Sequence, residues 1–248
     1  MKKMFLMLMG GCLLFSSAGC VDQVNLGKLG GAASSLHAAA TLDDAELKAM
    51  CVQMRQKGDA EATVASPDNS YMTRLTRIMG KHSSVNGLPL NYKVYITKDV
   101  NANASADGSV RVYSGLMDMM DDDELRFVIG HEIGHVALGH SLKAMRLAYT
   151  AAAARQGIGA LNSSADVLSD SMLGDLTEQF LNAQFSQSQE LDADAYAMNF
   201  LKENNYNTAA AGSSLRKLES LGSSGGFLSS HPNSGKRAKK MDEMASRK

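Results

Sequence analysis

Two histidines and a glutamate at helical spacing are the residues of this sequence best suited to chemistry. They are His131, Glu132 and His135, within Val128-Ile-Gly-His-Glu-Ile-Gly-His-Val-Ala-Leu-Gly-His140. On a helix, residues four apart share one face, so both imidazoles can bind one metal ion. Zinc held in this way keeps an open coordination position and lowers the pKa of a bound water to about 7. We predict that Glu132 takes a proton from that water as it attacks a peptide carbonyl, and then gives a proton to the leaving amine.

The helix around this motif has a pattern that argues against a chance match. At about 100° per residue, apolar residues lie opposite the histidines and also flank them: Leu125, Phe127, Val128, Ile129, Ile133, Val136 and Leu138. A buried polar cluster needs partners, and a metal ion supplies them. The acidic run Asp121-Asp-Asp-Glu124 indicates a capped helix start rather than a metal site. Glycines at 130, 134 and 139 allow close packing against neighbouring elements.

Catalytic zinc takes a third protein ligand, and the sequence offers few candidates. His140 is nine residues from His131, so we expect it at the helix end or behind the ligands. The metzincin pattern fails because Ser141 stands where its third histidine would be. Glu190 and Asp194 lie four apart on a later helix, where one can bind zinc while the other orients a ligand histidine. Taken alone, that stretch favours a solvated acidic face.

The spacing of these motifs also carries a family resemblance. H-E-x-G-H followed 55 residues later by E-x-x-A-D resembles the gluzincin family of HtpX-like and CAAX-prenyl-protease metalloendopeptidases, in particular its small outer-membrane lipoprotein branch. The resemblance spans residues 70–237. It implies that Glu190 is the zinc ligand and that Asp194 and Arg237 support the ligands without binding zinc. It also implies that His231 stabilises the oxyanion or caps the zinc at rest; an ordinary loop histidine is the alternative.

The elements that position these residues are predicted to be mainly helices. Helical patterns cover about Asp43–Gln56 (capped by Thr41), Ser70–Lys81 (ended by the Asn86-Gly87 turn), and two helices between Ser141 and Phe200 joined by a Gly/Asn/Ser loop. Two alternating stretches, Tyr92–Thr97 and Ser109–Tyr113, predict strands. The predicted fold class is α+β, mainly α: a zincin-type metalloprotease domain with a small β-sheet beside the active-site helix.

An exposed edge of that sheet is a natural place for an extended substrate. Such an edge can hold a peptide through main-chain hydrogen bonds. Asn101, Ala102, Asn103 and Ala104 lie between the two predicted strands, and they fall within the family resemblance. We therefore expect these four residues to bind substrate.

The N-terminus has the features of a lipoprotein signal peptide. Lys2 and Lys3 precede an apolar run that is too short to span a bilayer, followed by Ser17-Ala-Gly-Cys20. Residues 1–19 are predicted to be removed and Cys20 lipidated, although Ser17 stands where leucine is usual and a simple secreted protein is the alternative. Residues 20–41 are rich in Gly, Ala and Ser and predict a tether, and 42–248 the metallopeptidase domain.

Composition sets the remaining limits on function. The chain has 248 residues, no tryptophan and a net charge of −1, which indicates no nucleic-acid partner. Cys51 has no evident partner in the chain, and we expect it to be buried.

The long hydrophobic segments of HtpX-like proteins are missing, which argues against prenyl-protein substrates. We predict an endopeptidase with one zinc per chain, lipid-anchored to the outer membrane and facing the periplasm, that cleaves unfolded or misassembled envelope proteins; the alternative is a lipoprotein chaperone or scaffold with a latent zinc site.

Overall fold

The computed structural model describes residues 42–156, 168–222 and 226–246. Its helices are α1 (Asp44–Glu61), α2 (Ser70–Met79), α3 (Ser114–Met119), α4 (Asp122–Ala137), α5 (His140–Gln156), α6 (Asp170–Leu181), α7 (Gln187–Glu203), α8 (Ala210–Glu219), α9 (Phe227–Ser230) and α10 (Ser234–Ser246). Its strands are β1 (Ser84–Val85), β2 (Leu88–Pro89), β3 (Asn91–Tyr95), β4 (Ala102–Ala104) and β5 (Ser109–Tyr113). The predicted signal peptide, Cys20 and the tether lie outside these residues. Within the described ranges, no helix is long and apolar enough to cross a membrane.

A three-stranded sheet lies beside the central helix. The strand order is β3-β5-β4, with β3 parallel to β5 and β4 antiparallel to it. Asn103 pairs with Arg111 across the β4–β5 ladder, so these two side chains share one face, while Ala102 and Ala104 lie on the other. That second face joins the core around α4. The face of Arg111 is covered by α1, because Arg111 binds Asp59 near the end of that helix.

The apolar side chains form two buried clusters. The larger surrounds α4 and includes the alanine face of the sheet and residues of α2, α7, α8 and α10. The smaller lies between α1, α5 and α6 and contains Cys51, which is fully buried as predicted. Each fully buried leucine or isoleucine of this kind contributes about 1.5–3 kcal/mol to stability, so α4 is held firmly from several sides.

The predicted fold class is confirmed, and two local predictions are wrong. First, α1 is capped by Asp43 rather than Thr41, because Asp43 and Glu46 form a capping box. Second, the single helix predicted to reach Phe200 is broken into α6 and α7, since Ser186 and Gln189 form a second capping box that starts a new helix. The edge strand β4, Ala102–Ala104, lies between the two predicted strands and was not predicted.

Candidate active site

The helix that carries the two-histidine motif has a defined start and end. At its start, the Asp121 carboxylate accepts hydrogen bonds from the backbone N–H groups of Asp123 and Glu124, at 2.9 and 2.8 Å, and the Glu124 carboxylate accepts one from Asp121 N–H. At its end, Gly139 adopts a φ of +74°, the left-handed conformation that favours glycine. This turn places His140 beside the motif, with its Nδ1 3.1 Å from His135 Nδ1. The acidic run is therefore a cap, as predicted.

Two glycines of α4 allow α7 to lie close to the motif. A Cβ atom at Gly130 would be 3.1 Å from the Phe200 ring, and one at Gly134 would be 3.1 Å from the Tyr196 ring and 3.2 Å from the Ala193 carbonyl oxygen. Such contacts are too tight for a larger side chain without movement of α7. Glu190 lies in the first turn of α7, so the close approach of the two helices brings its carboxylate to the histidines.

Four potential metal ligands converge between α4, α7 and the end of α9. One ligand atom from each of His131, His135, Glu190 and His231 lies within 4.8 Å of all the others. His131 Nε2 is 3.0 Å from His135 Nε2 and 3.2 Å from His231 Nδ1. Glu190 Oε1 is 3.3 Å from His135 Nε2 and 2.9 Å from His231 Nδ1. All four residues are 2% exposed or less.

Asp194 and Arg237 form a second layer behind this cluster. The Asp194 carboxylate lies 2.9 Å from His131 Nδ1, and a proton on that nitrogen leaves Nε2 with its lone pair toward the cluster. Arg237 donates to both Asp194 oxygens, at 2.8 and 2.7 Å, and also forms an ion pair with Glu190. Burial alone would raise the pKa of Asp194, but hydrogen bonds from Arg237 and His131 outweigh it and lower that pKa to about 2.

Burial sets the charge state of the residues inside the cluster. It lowers the pKa of His135 well below the usual histidine value, so this imidazole is neutral and free to bind a metal. Burial also raises the pKa of Glu132, which makes its carboxylate a better proton acceptor. For Glu190, burial opposes ionisation, but the neighbouring histidines lower its pKa and keep it anionic.

His231 belongs to this site and not to an open loop. It caps α9, is 2% exposed, and stacks on Phe227 with ring centroids 4.2 Å apart. Its Nε2 lies 3.3 Å from Glu132 Oε1, while its Nδ1 faces Glu190. Burial opposes a charge on His231, but Glu132 and Glu190 outweigh that effect and raise its pKa.

The cleft in front of Glu132 is narrow in this structure. It is a cavity of about 20 Å³ bounded by the 101–104 segment, Glu132 and His231 on one side and by residues 180–185 on the other. Its volume is about enough for one water molecule. Phe185 stacks on His135 with ring centroids 3.8 Å apart. The side-chain nitrogen and oxygen of Asn103 are buried next to Tyr113.

The donor set fits zinc. Three imidazoles and one carboxylate are ligands that zinc prefers in proteins, and the Glu132 Oε1 atom beside them is buried with no hydrogen-bond partner among the described residues. The structure thus brings together seven of the predicted residues: His131, Glu132, His135, Glu190, Asp194, His231 and Arg237. The predicted 101–104 segment lines the same cleft, and Cys20 lies outside the described residues.

Sequence reasoning missed the aromatic residues around the site. Phe185 and Phe227 stack on His135 and His231, yet neither stands at an informative distance from the motif in sequence. The one local signal for Phe185 was its position just before Ser186, where the broken helix restarts. A correct prediction of that break would have placed Phe185 in a loop, but its contact with His135 depends on how the helices pack.

Comparisons with known proteins agree with this geometry. Residues 68–245 match the model of Peptidase family M48. The chain is 46% identical over 214 residues to Metalloprotease YcaL of Escherichia coli strain K12, which covers 85% of this chain and 84% of that protein. It is 43% identical over 223 residues to Metalloprotease LoiP of the same strain, covering 89% and 88%. It is also 28% identical over 199 residues to the mitochondrial metalloendopeptidase OMA1 of Schizosaccharomyces pombe, covering 77% and 57%. The predicted family resemblance is confirmed.

Proposed function

Because this chain belongs to peptidase family M48 and is a zinc metalloendopeptidase, we propose that His131, His135 and Glu190 hold its zinc ion and that Glu132 is its general base. The observation that carries the proposal is the convergence of the buried ligand atoms of His131, His135 and Glu190, supplied by two helices, with the buried Glu132 carboxylate lining the adjacent cleft. When bound, zinc supplies Lewis-acid chemistry: it polarises a carbonyl oxygen and makes a water molecule more acidic.

Glu132 moves the proton in the proposed reaction. Its carboxylate faces the small cavity at the sheet edge, where it accepts a proton from the attacking water and passes a proton to the amine that leaves. Burial raises the pKa of Glu132 and so strengthens it as a base. Asp194, held by Arg237, fixes the ring and the tautomer of His131.

His231 has two roles that its position supports. In the reaction, its Nε2–H can donate to the oxyanion that forms on the substrate carbonyl, an interaction commonly worth about 3–4 kcal/mol of the barrier. At rest, its Nδ1 lies among the other ligand atoms, 3.2 Å from His131 Nε2, and can serve as a fourth zinc ligand that closes the site. We propose that the resting enzyme uses the second arrangement and that substrate entry displaces it.

The substrate is proposed to pair with the edge strand β4. No other strand of the described chain pairs with its outer edge, so the main-chain groups along that edge are available to an extended peptide. A peptide held in this way lies next to Glu132, since residues 101–104 and Glu132 line one cavity. Residues 180–185 must move outward to admit it, because the present volume holds about one water molecule.

The place of action is proposed from the N-terminal sequence. Lys2, Lys3, the apolar run and Cys20 support cleavage after residue 19, lipidation of Cys20 and anchoring to the outer membrane by a tether over residues 20–41. The domain over 42–248 would then face the periplasm. Unfolded or misassembled envelope proteins are the proposed substrates, since an extended chain can pair with an edge strand without first being unfolded.

A lipoprotein chaperone with a latent zinc site is the second candidate. The closed cleft and the fourth potential ligand, His231, favour it. The two candidates differ in their dependence on Glu132: a chaperone would prevent aggregation of a client protein equally well as wild type and as Glu132→Gln.

The deciding experiment is casein cleavage by the purified protein, with and without a zinc chelator, beside Glu132→Gln. We expect cleavage to stop with the chelator and to fall by about 10²–10⁴-fold in the variant, while the variant still binds one zinc. Cleavage by Glu132→Gln at the wild-type rate would contradict the assigned base. A zinc-loaded wild-type protein that cleaves nothing would support the chaperone.

A further inference from the structure

A second and larger cavity lies on the other side of the sheet edge from the zinc ligands. It has a volume of about 310 Å³ and is bounded by the end of α1, the chain just after β3, the end of β5 and the end of α6. Arg55 of α1 lines it and is only 7% exposed. Its Nε–H donates to Ser105 Oγ at 2.9 Å, but its Nη2 is buried and has no hydrogen-bond partner within the described residues. Arg55 therefore lines the cavity, and behind that surface its guanidinium has a donor without a partner among the described residues.

The charge of Arg55 is not neutralised by a neighbouring carboxylate. Arg111, the other buried arginine of this region, is paired with Asp59 at 2.7 and 2.9 Å. For Arg55, no ion pair is present in the part of the chain that the structure describes; Asp107 is linked to it only through the Ser105 hydroxyl, which donates to Asp107 at 2.6 Å. A buried guanidinium without a counter-ion is costly and remains protonated, so it favours an anionic ligand.

The rest of the cavity is compatible with a carboxylate. Phe180 lies under the Arg55 guanidinium, 5.5 Å from the ring centroid, and Tyr95 and Tyr113 form another wall. Two acidic residues stand at the rim, Glu61 and Asp99, and both are exposed. Glu61 is already paired with Lys57 at 2.6 Å, and repulsion from exposed charges is screened by salt.

The cavity adjoins the proposed path of the substrate. A peptide that pairs with the outer edge of β4 sends alternate side chains to the two faces of the sheet. One face is that of Asn103, Arg111 and Tyr113, on the side of α1. Leu181 lines both this cavity and the small cleft at Glu132. A substrate side chain directed to the α1 face is therefore carried toward Arg55.

We propose that this cavity is a specificity pocket in which Arg55 binds a carboxylate of the peptide substrate, preferably the side chain of a glutamate or aspartate residue. The inference rests on the proposed endopeptidase function and adds a preference to it. The C-terminal carboxylate of a short peptide has the same chemistry and is the other source of the group. A charge-assisted hydrogen bond from Arg55 is expected to favour an acidic residue over its amide by about 10- to 100-fold in kcat/KM.

The test uses fluorogenic peptides in matched pairs that differ only by Glu against Gln. The variable residue is moved one position at a time along the peptide, every C-terminus is amidated, and products are identified by mass spectrometry. For wild type we expect one position at which Glu exceeds Gln by about tenfold or more in kcat/KM. In Arg55→Met that ratio falls to about one, and in Arg55→Lys it is partly restored. A separate set of the same peptides carries a free C-terminus, and a preference that appears only in that set would identify the chain terminus as the ligand.

Two matched variants separate recognition from structure. Arg216→Met removes an exposed arginine that pairs with Asp242 and should keep the wild-type ratio. Ser105→Ala removes the hydrogen bond to Arg55 but keeps its charge, and it should also keep a preference for Glu. A loss of the ratio in Ser105→Ala equal to that in Arg55→Met would show that Arg55 only supports the strand, and the proposal would be overturned.

A binding measurement makes the result independent of catalysis. Fluorescence anisotropy with Glu132→Gln and its double variant with Arg55→Met compares labelled Glu and Gln peptides. Tighter binding of the Glu peptide that is lost in the double variant supports the pocket even if the wild-type protein cleaves nothing, in which case only the endopeptidase proposal fails. Equal cleavage and equal binding of Glu and Gln peptides at every position would overturn the pocket while leaving the protease intact. Circular dichroism establishes that each variant is folded.

Discussion

Replacing Arg237 by methionine should destabilise the metal-free protein strongly. Arg237 is 2% exposed, donates to both oxygens of Asp194 at 2.8 and 2.7 Å, and pairs with Glu190. Methionine fills similar space but leaves two buried carboxylates without their cation. Removing one partner of a buried ion pair costs about 3–5 kcal/mol. Since two carboxylates share Arg237, we expect the loss in the free energy of unfolding to lie at the upper end of that range.

Urea denaturation followed by far-ultraviolet circular dichroism, in a chelator at pH 7, measures this loss. The matched control is Arg216→Met, because Arg216 is about half exposed and pairs with Asp242 at 2.6 Å; its effect should stay below about 1 kcal/mol. The double variant Arg237→Met/Asp194→Asn removes one of the stranded charges and should recover more than about 1 kcal/mol relative to Arg237→Met alone. A loss below about 1 kcal/mol for Arg237→Met would refute the reasoning, since it would mean that water reaches and solvates both carboxylates.

Three further outcomes are expected. Phe185→Ala should raise kcat/KM several-fold, because it removes the ring that stacks on His135 across a cleft of about 20 Å³. Asp59→Asn should cost about 2 kcal/mol at pH 7 in thermal unfolding. That difference should shrink as pH falls from 3.8 toward 2, because burial raises the pKa of Asp59 but hydrogen bonds, chiefly from Arg111, lower it to about 2. Cys51, whose pKa burial raises to about 12, should react with a thiol reagent at pH 8 only after unfolding, so thiol counts in buffer and in urea should differ by one.

A specific result would contradict each of these three predictions. A fall in kcat/KM for Phe185→Ala with an unchanged zinc content would show that the ring supports catalysis instead of blocking entry. A constant difference between wild type and Asp59→Asn from pH 7 to pH 2 would mean that the lowered pKa of Asp59 does not stabilise the fold. Rapid modification of Cys51 in the native protein would mean that the cluster between α1, α5 and α6 opens readily.

The local features of the active-site helix could be predicted from the sequence. His131, Glu132 and His135 lie within one turn of α4, so their relative positions depend only on helix geometry. The cap at Asp121 and Glu124 follows from the same short-range rules. A turn at Asn86 and Gly87 was also predicted, although the structure places it between β1 and β2 and ends the preceding helix earlier, at Met79. The placement of Glu190 and Asp194 on one helix face also follows from their spacing. The assignment of Glu190 as the zinc ligand came from the family resemblance.

Long-range neighbours were decided only by the tertiary structure. His231 Nδ1 lies 3.2 Å from His131 Nε2 although the two residues are 100 apart in sequence, because α9 ends against α4. Sequence spacing does not predict that contact. The break between α6 and α7 brings Phe185 onto His135, and the pairing of β4 with β5 makes Ala102–Ala104 an edge strand. Arg55 gave no signal at all in the sequence. Its charge has no ion-pair partner among the described residues because α1 packs over the sheet, where the Arg55 guanidinium meets Ser105 rather than a carboxylate. Periodicity fixes positions within one element, whereas contacts between elements depend on how all of them pack together.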